Sequence, residues 1–329
     1  MSGQDVLDAF TRIRCAAETH MDHRDRERLG WSEETVTEAC TNQGLPQVKV
    51  IPFNRNQEGR AIGADYLWWF LDQRSSACFG MLVQAKRISR GADRWKVDIR
   101  HRQGRQLADL LATARQLEVP AMYGIYTGGL VLRADMPCFH DQAPGCVGCR
   151  RMAISMISAY QLADVWGSPT TTADLVLTDG IPLENLVDPD LVTGTVADVN
   201  LSEIRPGQLR DFLLLDQDGP LEVAKRIFRA VCEHRARGFS AATAEPLTIP
   251  GAPLFPEVPN DTGHFPGPYY RHFLQGLRAS PPSYVRQLQG EARRDDTMGY
   301  VTAVSAPRGP RRPRALRGVD VDGVVLATM

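Results

Sequence analysis

Apolar residues recur at helical spacing near the N-terminus. Val6, Phe10, Ile13 and Ala17 fall on one side and predict an amphipathic helix over residues 4–20. A charged stretch from His20 to Arg28 follows. Ser32 then offers a hydroxyl cap, and Glu33 and Glu34 sit in the first turn of the helix it opens, where the helix dipole favours acids. This helix should end near Gly44. The period then changes. Gln47–Phe53 alternates, Ala64–Leu71 is aromatic-rich, and Phe79–Ile88 begins apolar and turns polar at Gln84, which predicts three strands. Trp68 and Trp69 point to opposite strand faces and read as core on both sides. Leu107, Leu110, Leu111 and Ala114 mark a helix over Gln103–Leu117; Pro120 ends it, and Met122–Tyr126 reads as a fourth strand.

A helix, a three-strand meander, a helix and a strand imply an α/β fold with a mixed, helix-covered sheet in residues 1–135. Residues 136–150 form a Cys/His loop, and 151–329 a C-terminal α+β extension. In that extension Met152–Leu162 looks helical. Residues 220–237 form a helix capped by Asp218, with Pro220 in its first turn and Gly238 after its end. Seven prolines over 246–268 mark an extended loop, residues 308–317 hold five arginines broken by prolines, and Val319–Leu326 is a last strand returning to the body.

Composition narrows the function. With 43% apolar and 23% charged residues among 329, the chain is neither disordered nor a coiled coil. No apolar run is long enough for a membrane helix, and Met1–Asp8 lacks a secretory pattern. A net charge of −1 confines any nucleic-acid binding to local patches. Cys15, Cys40, Cys78 and Cys232 stand alone, as reduced thiols of a cytoplasmic protein do. Gly-Lys-Ser/Thr phosphate loops, His-Glu-x-x-His and Gly-x-Ser-x-Gly are absent from the sequence.

The candidate chemistry centres on Asp65, Gln84 and Lys86. Gln84 and Lys86 are two apart, so they share a strand face, and Met81, Leu82 and Val83 beside them are apolar. A lysine set among them needs an anionic partner, and Asp65 on the neighbouring strand is the obvious one. The Asp65 carboxylate, the Gln84 side-chain carbonyl and the Ala85 main-chain carbonyl are hard oxygens that suit Mg²⁺ or Mn²⁺. Lys86 would orient a water and offset charge on a phosphate. A further acid would come from Glu33, Glu34 or Glu38. Gln103 and Gln106 open the next helix, within reach of a phosphate or as plain solvated positions. A cross-strand ion pair with no metal is the alternative.

A helix with a Glu, a strand with Asp, a strand with (Glu/Gln)-x-Lys, a helix and a strand resemble the PD-(D/E)XK, restriction-endonuclease-like superfamily. Glu33–Thr37, Gly63–Trp69, Val83–Arg87 and Pro120–Tyr126 also resemble an uncharacterised bacterial domain-of-unknown-function family over about residues 29–130. The resemblance implies a restriction-endonuclease-like core and Mg²⁺-dependent (or Mn²⁺-dependent) hydrolysis of phosphodiesters, of DNA above all, in bacterial defence or repair. It implies Asp65, Gln84 and Lys86 as the site, with Glu34 as the helix acid and Glu33 its competitor. This is a QxK version, with Gln84 where the motif usually carries an acid and Ala64 where it carries proline. The other expectation is a non-catalytic nucleic-acid- or protein-binding module that keeps the fold.

Lys86–Arg105 holds eight basic residues against two acids. Beside Lys86 these are Arg87, Arg90, Arg94, Lys96, Arg100, Arg102 and Arg105, a candidate surface for nucleic-acid phosphates, with a solvated loop as the plain reading. No recognition module is evident, which leaves recognition to a protein partner. Cys138, His140, Cys146 and Cys149 place four candidate zinc ligands in one short loop, with unliganded thiols as the alternative.

Overall fold

The computed structural model describes residues 3–53, 64–91, 94–99, 105–138, 146–164, 172–191, 212, 219–243, 270–297, 313–316, 319 and 321–329. Helix α1 (Gly3–Arg26) buries Val6, Phe10, Ile13, Ala17 and Met21, which continues the expected stripe by another turn. Ser32 caps α2 (Glu33–Thr41) by accepting the Thr35 amide at 3.3 Å, and a 3-10 turn carries the chain to Gly44.

The strands follow as β1 (Val48–Pro52), β2 (Tyr66–Leu71) and β3 (Cys78–Arg90), with β4 (Trp95–Val97) antiparallel to the far end of β3. Helix α3 (Arg105–Leu117) crosses to β5 (Ala121–Tyr126), which lies parallel to β3. Next come α4 (Leu130–Arg133), α5 (Val147–Arg151), β6 (Ile154–Ser158), α6 (Ala159–Asp164), α7 (Thr172–Asp179) and β7 (Ile181–Pro182). The C-terminal part adds α8 (Gly219–Thr243), α9 (Tyr270–Gly276), β8 (Leu277–Arg278), α10 (Ser283–Thr297) and β9 (Gly323–Thr328).

The fold is α/β, an open mixed sheet flanked by helices. Its main path runs β1-β9-β2-β3-β5-β6-β7. The aromatic strand β2 is buried on both faces. Trp68 packs toward Phe10 of α1, ring centroids 6.4 Å apart, and Trp69 toward Tyr284 of α10 at 6.2 Å.

Three expectations need correction. The first three strands are not a meander: β9 inserts between β1 and β2, antiparallel to one and parallel to the other. Residues 1–135 therefore do not complete their own sheet, because its second strand comes from the far end of the chain. Apolar patterning sets a strand's burial but not its neighbour, so this insertion was not visible locally. Residues 154–158, expected to be helical, form β6. All five are buried, and a short run buried on both faces carries neither the helical nor the alternating period. The 220–237 helix is present and longer than expected. The proline-rich stretch 246–268 and residues 308–312 lie outside the described residues; Arg314–Leu316 form a 3-10 turn.

Candidate functional site

Asp65 stands one residue before β2. Its amide donates to the Val83 carbonyl at 3.0 Å, and the register of Tyr66 with Val83 places Asp65 opposite Gln84. Its carboxylate Oδ2 accepts the Ala85 amide at 2.7 Å and the Gln84 Nε2 amide at 2.7 Å. The side chain thus takes over the β2–β3 ladder where the β2 backbone leaves it. Gln84 is buried, and its Nε2 also donates to the Ala85 carbonyl at 3.1 Å. Gln84 therefore turns its donor end toward Asp65, as an orienting group, and not its carbonyl as expected of a metal ligand.

A second acid, which the sequence reading missed, stands beside Asp65. Asp322 precedes β9. Its amide donates to the Asp65 carbonyl at 2.7 Å and its carbonyl accepts the Phe53 amide at 2.7 Å, so its backbone is held between β1 and β2. Gly323 makes this approach possible: a Cβ there would lie 2.6 Å from the Ile51 carbonyl oxygen. The third acid is Glu34, in the first turn of α2. That helix is tied to β5 by a 2.6 Å bond between the Thr37 hydroxyl and the Tyr126 hydroxyl. Carboxylate oxygens of Glu34, Asp65 and Asp322 lie within 4.8 Å of one another. Of the three helix acids left open by the sequence, Glu34 is the one that joins this group.

Burial pushes the Asp65 carboxyl up to about 7. The Ala85 amide and the Lys86 charge pull it down, while Asp322 and Glu34 push it further up. Lys86 is half-buried, and burial lowers its pKa against the pull of Asp65, Glu33 and Asp98. Its ammonium donates to Gln106 Oε1 of α3 at 2.6 Å, and among the described residues no ion pair joins it to Asp65. The expected Asp65–Lys86 pair is thus corrected. Lys86 lies three residues beyond Val83, the partner of the first β2 residue; there its cross-strand neighbour is Ile125 of β5 and α3 lies within reach.

Arg87, Arg90, Arg94, Lys96 and Arg105 are exposed near this end of β3. Two already have internal roles. Arg87 donates to the Trp31 carbonyl at 2.9 Å and lies 5.6 Å from the Trp31 ring centre. Arg90 pairs with Asp135 at 3.0 Å and lies 5.6 Å from the Trp95 ring centre. Arg100, Arg102 and Gln103 fall outside the described residues.

The sulfurs of Cys138, Cys146 and Cys149 lie within 4.8 Å of one another, a group that could hold a metal ion. The Cys149 amide donates to Cys146 Sγ at 3.4 Å. Burial and the adjacent Cys138 and Cys146 push the Cys149 thiol up to about 12. His140 lies outside the described residues. Cys40 and Cys78 are buried, with thiols pushed up by burial to about 12 and about 11, as inert core cysteines are.

A family model described as a family of unknown function (DUF6615) matches residues 7–312. The match includes Glu34, Asp65, Lys86 and the three clustered cysteines, and stops short of Asp322. No curated protein and no solved structure matches. No helix among the described residues is long and apolar enough to cross a membrane.

Proposed function

We propose, for a chain that belongs to this family of unknown function, a divalent-metal-dependent nuclease that hydrolyses phosphodiester bonds of DNA. One observation carries the reading: Glu34, Asp65 and Asp322, from three distant parts of the chain, gather their carboxylates within 4.8 Å with Lys86 nearby. Burial, and after it the neighbouring acids Asp322 and Glu34, raise the Asp65 carboxyl, and a hard cation relieves the opposition of like charges so placed. The donor set is all oxygen and fits Mg²⁺ or Mn²⁺. When bound, the cation would supply Lewis-acid stabilisation of the charge that builds on the scissile phosphate.

The remaining work falls to side chains. Gln84 and the Ala85 amide both bond Asp65 Oδ2, which leaves Oδ1 as a donor for the cation. Asp322 contributes the negative charge that the neutral Gln84 does not. Lys86, fixed through Gln106, would orient the attacking water and offset charge on the phosphate. The exposed cations of β3, β4 and α3 would hold backbone phosphates, with binding that weakens steeply as salt rises. The resemblance to PD-(D/E)XK enzymes supports the same roles for Glu34, Asp65 and Lys86.

The test is cleavage of plasmid DNA, linear DNA and RNA by the purified chain in Mg²⁺ or Mn²⁺. Cleavage of DNA is expected, abolished by EDTA and reduced at least about 100-fold in Asp65→Ala. A wild type that cuts nothing, or an Asp65→Ala protein that cuts equally well, overturns the proposal and favours a binding module.

A further inference from the structure

We propose that Cys138, Cys146 and Cys149 bind a zinc ion that pins the long connection between β5 and β6 to the body of the protein. This site is separate from the acid cluster and independent of the nuclease reading.

The spacing of the sulfurs suits zinc. Zn–S bonds of about 2.3 Å in a tetrahedron put sulfurs about 3.8 Å apart. The three sulfurs here lie within 4.8 Å of one another, and none of the three is in a disulfide. The Cys149 amide already points at Cys146 Sγ, 3.4 Å away, which orients that sulfur within the turn. Soft sulfur ligands in a Cys-x-x-Cys turn select zinc over Mg²⁺ or Ca²⁺.

The described part of this connection has almost no core of its own. Among the described residues from 130 to 151, Cys146 is the only buried one, while Leu130, Val131 and Val147 are 51%, 67% and 53% exposed. A stretch that buries so little apolar surface needs another cross-link to hold one conformation.

Other contacts already hold parts of this connection. Thr127 fixes the base of the connection: its amide donates to the Ala153 carbonyl at 3.1 Å and its hydroxyl to the Met152 carbonyl at 2.5 Å. Arg133 donates to the Cys149 and Arg150 carbonyls and pairs with Glu18 of α1. These contacts hold the backbone around Cys149. The thiol cluster joins Cys138 to that anchored end. A fourth ligand completes the tetrahedron.

The test begins with the full chain expressed with added zinc. Elemental analysis should find close to one zinc per chain, falling at least several-fold in both Cys146→Ser and Cys149→Ser. Should the variants fail to fold, the wild type is stripped with a chelator and refilled with Co²⁺. Intense sulfur-to-cobalt charge-transfer absorption is then expected. Amide exchange of the stripped protein should rise in 128–152 and stay unchanged in β2 and β3. The proposal is overturned by a zinc-supplied wild type without zinc, by variants that keep it, by Co²⁺ spectra without sulfur ligation, or by a disulfide among the three cysteines in the metal-free protein. None of these outcomes alters Mg²⁺-dependent DNA cleavage, so the two readings fail separately.

Discussion

The acid cluster and the cysteine cluster each bring three donors within 4.8 Å, by opposite routes. Glu34, Asp65 and Asp322 are hundreds of residues apart at the extremes and meet because a helix start and two strand starts converge at one end of a sheet. Backbone bonds between Asp322 and both Asp65 and Phe53, and side-chain bonds to Asp65 Oδ2, set the places of the two aspartates without any ligand. Cys138, Cys146 and Cys149 come from one connection with little buried surface of its own. The first arrangement is preorganised against its own repulsion, which suits a cation that takes part in a reaction and exchanges. The second depends on its ligand for order, which suits a cation that stays.

Lys86 separates catalysis at the acid cluster from cation binding there. Lys86→Ala should lower the rate of DNA cleavage by about 100–1,000-fold while Mn²⁺ affinity is kept, because the lysine acts on the reacting groups and not as a ligand. Steady-state rates beside metal titrations read the two separately. Gly323→Ala comes next. The new Cβ meets the Ile51 carbonyl oxygen at 2.6 Å and forces β9 away from β1, so unfolding should become easier by about 2–4 kcal/mol. Metal binding at the acids should weaken together with it, whereas zinc content should not change. Denaturant unfolding and elemental analysis check both.

Acidity sharpens the same contrast. Asp65 has a folded-state pKa of about 7, against an ordinary 3.8. Between those values the folded protein keeps a proton that the unfolded chain has lost. Without divalent cations the Asp65 contribution to stability should therefore be greatest below about pH 4 and fall by about 4 kcal/mol as pH rises to 7. Excess Mg²⁺ should flatten that fall, and melting curves over the range test it. The smallest effect is expected at Gln84. Gln84→Glu restores an acid to the motif and should tighten Mn²⁺ binding several-fold, yet lower the stability of the metal-free protein by about 1 kcal/mol, since a donor to Asp65 becomes another negative charge.

The local patterns were legible because they rest on single elements. Ser32 announced α2 through its cap, Phe10 and Ile13 announced α1, and the aromatic run announced β2. Asp65 and Lys86 were singled out because residue type and strand period together mark polar groups in an apolar frame, and Glu34 because the resemblance to PD-(D/E)XK enzymes implies a helix acid. What stayed hidden depends on which strands become neighbours. Asp322 carried a weak signal, an acid and a glycine just before an apolar strand. Only the insertion of β9 beside β2 gives it meaning. The Lys86 contact with Gln106 was missed for the same reason, since the sequence does not say that α3 begins beside that part of β3. Residues 154–158 were misread because a strand buried on both faces has no polar beat to count.

Calorimetric titration of Mn²⁺ into the 329-residue wild type and into Asp322→Asn at pH 8, where Asp65 is ionised, puts the three-acid cation site to the test. A saturable site is expected in the wild type, with an affinity that falls at least about 10-fold in the variant while the fold stays intact by circular dichroism. Equal affinity in the two proteins, or no Mn²⁺ binding by the wild type, would contradict a three-acid site.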